Sequence, residues 1–162
     1  MSPAATSPVE QFRNALIGAW ELISYRCEPV QPGDETVYPM TRNATGIIMY
    51  TPDGYMSAQL MTPGTPKFAD GDLSGGTTEE LVSVAKNYLA YSGPFKVTEE
   101  NGKPVLRHSM EVASFPNWLG NTQVRVAELE EDRLVLQPEA PIVTLGVLRQ
   151  PILEWRRKKS TA

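Results

Sequence analysis

One cysteine, Cys27, and one histidine, His108, occur in the 162 residues. A single thiol excludes an intramolecular disulfide and any thiolate metal cluster, and it fits a reducing compartment. With one histidine there is no zinc ligand set, no paired-histidine metal site and no serine triad signature elsewhere in the chain. No glycine-rich loop leads from a strand into a helix as phosphate binding requires. No metal, nucleotide or redox cofactor is therefore implied. Charge of one sign is also scarce: the net charge is -4, and the basic residues are scattered except for Arg156 to Lys159. Nucleic acid needs a concentrated basic surface, so it is not an expected partner. Long apolar runs are missing too, and nothing approaches the roughly 20 residues of a membrane span. The opening "MSPAATSPVEQF" has no basic region followed by an apolar run, so no secretory signal is expected and the expected location is the cytoplasm.

What is present is a hydrophobic content of 41%, enough for one domain with a substantial core. A tail is expected over 1–12 and a single domain over 13–158. "VEQFRNALIG" spaces Val9, Phe12, Leu16 and Ile17 as a short helix ending at Gly18. "AWELISYRCEPV" then reads as a long strand, with Trp20, Leu22 and Ser24 on one face and Glu21, Ile23 and Tyr25 on the other. "GIIMYTPDGYMSAQLM" is a hairpin around Pro52-Asp53-Gly54. After a loop rich in glycine and proline, Thr77 stands three residues before Glu80, a capping-box spacing. Leu81, Val84, Ala85, Tyr88 and Leu89 follow at helical period, which predicts a helix over about 77–91 stopped by Gly93. Strands are expected at "PFKVTEE", "PVLRHSMEVASF", "TQVRVAELE", "RLVLQP" and "GVLRQPILEWRR", with turns at Asn101-Gly102 and Glu131-Asp132.

Eight strands joined in sequence predict a mainly β fold: a closed antiparallel up-and-down barrel with a short N-terminal helix and one longer helix. An open meander would leave two long edges unpaired, whereas closure removes them. A barrel of this size packs solid or holds one small ligand.

Both chain ends carry a resemblance. Gly18-Ala19-Trp20 opens the first strand and Trp155-Arg156-Arg157 closes the last, similar to the lipocalin G-x-W at a barrel floor with an arginine near the indole. The bland alternative is that Trp20 and Trp155 are ordinary core anchors. Together with "YLAYSGPFKV", "EVASFPNWLG", "DRLVLQP" and the hairpin, these segments resemble the short intracellular lipocalin-like domain family of bacteria and fungi, over nearly all of residues 13 to 157. The resemblance implies a lipocalin-like barrel and implies little about activity. Relatives often carry two histidines where this chain has His108-Ser109, so no mechanism that needs a histidine pair is carried over.

Alternation places side chains once Trp20 sets the inside, which also turns Leu22 and Ser24 inward. Met110 and Val112 share the inward parity with His108, and Arg125 shares it with Ala127 and Leu129. In the hairpin, Ile48, Tyr50, Met56, Ala58 and Leu60 form the larger and more apolar face, expected inward, against Ile47, Met49, Ser57 and Gln59. The expected ligand is a small hydrophobic molecule bearing oxygen atoms, with Ser24, Ile48, Met56, Tyr91, Phe95, Met110 and Trp118 as binding residues. Trp118 is either a plug or part of a ligand rim. His108 is either a satisfied core residue or a proton carrier, and Arg125 either pairs with a carboxylate such as Glu111, Glu128 or Glu154 or meets the ligand. The methionines fit ordinary packing or an adaptable pocket.

Two functions are expected from this. In the first, His108, Arg125 and Tyr50 are catalytic in a cofactor-independent cyclase or isomerase of natural-product biosynthesis, His108 exchanging a proton and Arg125 and Tyr50 stabilising a developing oxyanion. Barrels of similar shape that act as cyclases support it by analogy of fold alone. In the alternative, the same barrel is a non-catalytic carrier or binding protein for such a metabolite.

Overall fold

The computed structural model describes residues 4–162. Helix α1, Pro8–Leu16, begins with a reciprocal cap: Glu10 N–H donates to the Ser7 hydroxyl while Ser7 N–H donates to the Glu10 carboxylate. The helix crosses residue 12, where the tail was expected to give way to the domain, and its Phe12 and Leu16 pack on the core. The strands are β1 (Gly18–Pro29), β2 (Thr45–Tyr50), β3 (Tyr55–Met61), β4 (Tyr88–Glu100), β5 (Lys103–Ser109), β6 (Val112–Ala113), β7 (Thr122–Glu130), β8 (Arg133–Pro138), β9 (Ile142–Thr144) and β10 (Val147–Arg157). Helix α2, Thr78–Asn87, lies between β3 and β4.

Eight of these strands, β1 to β5 with β7, β8 and β10, pair antiparallel in succession, and β10 closes onto β1 from Trp20↔Arg157 to Pro29↔Arg149. The expected closed barrel is therefore the observed fold. The short strands β6 and β9 are additions, pairing with β4 and β10 respectively. Asn101 and Gly102 both take positive φ, which suits the tight turn between β4 and β5.

One end of the barrel is sealed. Trp20 is inaccessible to solvent and its Nε1–H donates to the Leu16 carbonyl at 2.9 Å, so the end of α1 and the barrel floor are one unit. The Arg157 guanidinium lies 4.2 Å from the centre of the Trp20 ring and donates to the carbonyls of Ala15 and Ile17. Such a stacked cation contributes about 0.5–2 kcal/mol, and it also satisfies carbonyls that the end of the helix leaves free.

Three local expectations are corrected. First, the helix expected over 77–91 keeps its Thr77 cap but ends at Asn87, because the chain from Tyr88 pairs with β3 as Met61↔Tyr88, Leu60↔Leu89, Gln59↔Ala90 and Ala58↔Tyr91. Seven consecutive strand pairs outweigh an apolar period that Tyr88 and Leu89 fit equally well as strand residues. No residue of α2 is buried, and Ala85 and Lys86 line a surface depression together with Met40 and Phe115.

Second, the pairing of β1 with β10 slips between Leu22 and Ser24. One extra residue reverses every later side chain. Trp20 and Leu22 point inward as expected, Ile23 is exposed, and thereafter Tyr25 and Cys27 face the interior. Ser24, expected inward as a ligand contact, is turned to the outer face opposite Glu154, whose carboxylate pairs with Arg26 and Arg133 there.

Third, the strand expected over 104–115 breaks after Ser109. Tyr91↔Ala113 and Ser92↔Val112 lie on one side of the break and Phe95↔His108 on the other. Gly93 allows it: a Cβ at this position would stand 1.8 Å from the Ser109 carbonyl oxygen. The break leaves Met110 buried as expected but turns Val112 outward, 66% exposed.

Candidate functional site: a polar cavity in the barrel

The hairpin supplies one wall. Tyr50 and Met56 pair across the Pro-Asp-Gly turn, so Ile48, Tyr50, Met56, Ala58 and Leu60 all point inward and are buried, while Ile47, Met49, Ser57 and Gln59 face outward. Apolar alternation on both strands is what fixes this register. From this wall the Tyr50 hydroxyl reaches across the barrel to His108 Nε2 of β5 at 3.0 Å. Phe95 of β4 holds the Tyr50 ring edge-on, with centroids 5.1 Å apart.

His108 and Arg125 line an enclosed space of about 70 Å³ together with Tyr25, Tyr91, Trp118 and Leu89. Leu60 of β3 and aliphatic and proline side chains of β8, β9 and β10 complete it: Leu136, Pro138, Ile142, Pro151 and Leu153. Trp118, in the turn Pro116–Trp118, packs its ring against Tyr91 with centroids 5.2 Å apart. The space is large enough for a few waters and smaller than the roughly 300 Å³ at which small-molecule pockets begin. A guest of that size must displace wall side chains, and Trp118, Leu89 and Ile142 are only partly buried or exposed.

Burial sets the electrostatics. His108 is 1% exposed, and desolvation, followed by the charge of Arg125, pushes its pKa down to about 3. It is neutral at physiological pH. The reason for expecting it to exchange a proton, an ordinary imidazole pKa, does not hold at this depth. Burial raises the phenols of Tyr25, Tyr50 and Tyr91, which remain protonated donors. A neutral imidazole hydrogen-bonded to a phenol uses one proton of the two they share, so the Tyr50–His108 pair keeps one proton outside that bond.

Arg125 is the one cationic side chain in the cavity lining. Its guanidinium donates to the Val124 carbonyl at 2.9 Å and to Gln123 Oε1 at 3.2 Å. Among the described residues no carboxylate lies within ion-pair distance of it. Of the carboxylates that could have paired with it, Glu154 serves Arg26 and Arg133 outside the barrel, and Glu111 and Glu128 are exposed. Burial lowers the guanidinium's pKa, and the surrounding phenols work in the opposite direction.

The structure thus brings Tyr50, Tyr91, His108, Trp118 and Arg125 together. Ile48, Met56, Phe95 and Met110 are buried in the surrounding core and do not line the cavity, and Ser24 lies outside. Tyr25 is the polar cavity residue that alternation alone missed. A signal for it exists in the sequence: Glu21 is charged at an odd position and Arg26 and Glu28 at even ones, a change of parity that marks a bulge between them.

A lipocalin-like domain family model matches residues 17–158, and the chain belongs to that family. Within it, the chain is 42% identical over 106 residues to the 4'-hydroxy-3'-methoxypropiophenone carrier protein of Aspergillus oryzae, a match spanning 63% of this chain and 96% of that protein. The crystal structure of the wild-type fluorescent protein UnaG aligns over 90% of this chain and 98% of its own, at 14% identity and a TM-score of 0.35. No helix among the described residues is long and apolar enough to cross a membrane.

Proposed function

We propose that the protein is a non-catalytic carrier for a small aromatic ketone bearing a hydroxyl group, which it binds in the barrel cavity and releases unchanged. The observation that carries this reading is the character of the cavity's polar groups. Two protonated phenols, Tyr25 and Tyr91, a neutral imidazole that is hydrogen-bonded to a third phenol, Tyr50, behind it, and a guanidinium with no carboxylate partner among the described residues converge on one apolar-walled space. These are groups that orient a guest, and none of them exchanges a proton near pH 7. An isomerase or cyclase built on His108, Arg125 and Tyr50 needs such an exchange. Similarity to a protein named as a hydroxymethoxypropiophenone carrier supports the same class of guest. On this reading the protein works in the cytoplasm alongside the enzymes of natural-product biosynthesis.

The test is to titrate 4'-hydroxy-3'-methoxypropiophenone into the protein while following the melting temperature, then to recover the compound and analyse it by mass spectrometry and chiral chromatography. Specific binding raises the melting point through linkage, by about 2.7 kcal/mol of stability at a hundredfold excess over Kd. The compound should return unaltered. Conversion to an isomer or cyclised product would replace the carrier with the enzyme.

A further inference from the structure

Arg125 presents an unusual electrostatic problem. Its guanidinium projects into an apolar-walled cavity, and the groups that face it are Tyr25 from β1, Tyr50 from β2, Tyr91 from β4, His108 from β5 and Gln123 from its own strand. The walls contributed by β3, β8 and β10 are Leu60, Leu136, Pro138, Pro151 and Leu153, which carry no charge. This guanidinium is partly buried and donates to the Val124 carbonyl and to Gln123 Oε1, yet its charge is costly to desolvate unless paired, and among the described residues no carboxylate lies within ion-pair distance of it. The donors around it point the same way: phenol hydroxyls can serve an acceptor, and an acceptor that is itself anionic gains most from them.

We propose that the cavity takes its guest as an oxyanion, the phenolate of a hydroxyaryl ketone, with the negative oxygen at the Arg125 guanidinium and within reach of the tyrosine hydroxyls. This deepens the carrier reading and rests on it. An acyl group conjugated with the ring withdraws charge from the hydroxyl oxygen, so such a phenol ionises far more readily than tyrosine does. The hydroxyl proton leaves to water as the complex forms, and no bond other than O–H is broken. An opposite charge within about 4–6 Å favours the ionised form by roughly 1–3 pKa units, which offsets the cost of burying the anion. The aromatic and aliphatic remainder of the guest would meet Trp118, Leu89 and Leu136.

Two probes test this on the whole protein: 4'-hydroxy-3'-methoxypropiophenone and its O-methyl ether, which cannot ionise. Ionisation is read from the red-shifted phenolate absorption of the bound probe across pH, and proton release from calorimetry in two buffers of different ionisation enthalpy. In the wild type the bound phenol should titrate at least about one unit below its midpoint in water, and at a pH at least about one unit above that midpoint the ether should bind about tenfold more weakly or worse, the equivalent of one such unit. Arg125→Gln should move the bound midpoint above the value in water, because burial then acts unopposed, and Arg125→Lys should keep it lowered. A wild-type complex that holds the neutral-phenol spectrum above the free midpoint, or equal affinity for the two probes, overturns the oxyanion and leaves the carrier standing. If neither probe binds, the carrier reading falls and this inference with it. Should the glutamine variant fail to fold, the comparison of the two probes on wild-type protein still decides.

Discussion

Lowering the pH should destabilise this protein through His108 in a way that one substitution removes. In the unfolded chain the imidazole has an ordinary pKa near 6.5, and in the folded barrel it lies at about 3. The unfolded state therefore binds more protons than the folded state between these values. Stability from this group is fully present above about pH 6.5 and is lost as pH falls toward 3. The slope inside the window is about 1.4 kcal/mol per pH unit. From pH 7 to pH 4.5 the loss integrates to roughly 2.5 kcal/mol, and it hardly changes if the folded value is a unit higher, because pH 4.5 still lies above it. Carboxylates with lowered pKa add their own acid sensitivity, as Glu21 does beside Arg156. The quantity to measure is therefore the difference between wild type and His108→Gln, whose amide can still hydrogen-bond to Tyr50. Urea melts at pH 7, 6, 5 and 4.5 should show the wild type losing about 2.5 kcal/mol more than the variant, a midpoint change of roughly 1 M. Parallel pH profiles for the two proteins would refute the claim that His108 is buried in its neutral form.

Gly93→Ala should cost about 3 kcal/mol or more, or prevent folding, because a Cβ 1.8 Å from the Ser109 carbonyl oxygen forces apart the β4–β5 break, whereas Gly71→Ala, with nothing within 4 Å, should change the denaturation midpoint negligibly. Arg157→Lys should destabilise by about 1–2 kcal/mol in urea melts, since an ammonium cannot stack on Trp20 while reaching both the Ala15 and Ile17 carbonyls, and retained stability would show that the floor does not depend on the guanidinium's shape.

Much of the architecture is legible in the residues. The hairpin at 46–61 has one face that is plainly more apolar, and a side-chain period of two leaves no freedom in which face turns inward once the turn sets the register. The matching ends, Gly18-Ala19-Trp20 and Trp155-Arg156-Arg157, point to barrel closure from the residues themselves, because a floor tryptophan needs a cover and Arg157 provides it. His108 and Arg125 fall on the interior for the same reason, each sharing parity with apolar neighbours on its strand.

Tertiary structure decided the rest, and in each case through pairing with a strand distant in sequence. Whether Tyr88 and Leu89 continue a helix depends on β3 offering Met61 and Leu60 as partners, a contact that no local period records. The bulge after Leu22 follows from the closing strand β10, and it exchanges Ser24 for Tyr25 at the cavity. The state of His108 was out of reach of sequence altogether: its type gives a pKa near 6.5, but desolvation within the closed barrel and the nearby Arg125 hold it neutral. Sequence alone thus determined that the chain forms a barrel and which residue types it encloses. Burial, a property of the closed structure, decided that His108 is neutral and the cavity phenols stay protonated, and the folded chain decided that among the described residues Arg125 has no carboxylate partner.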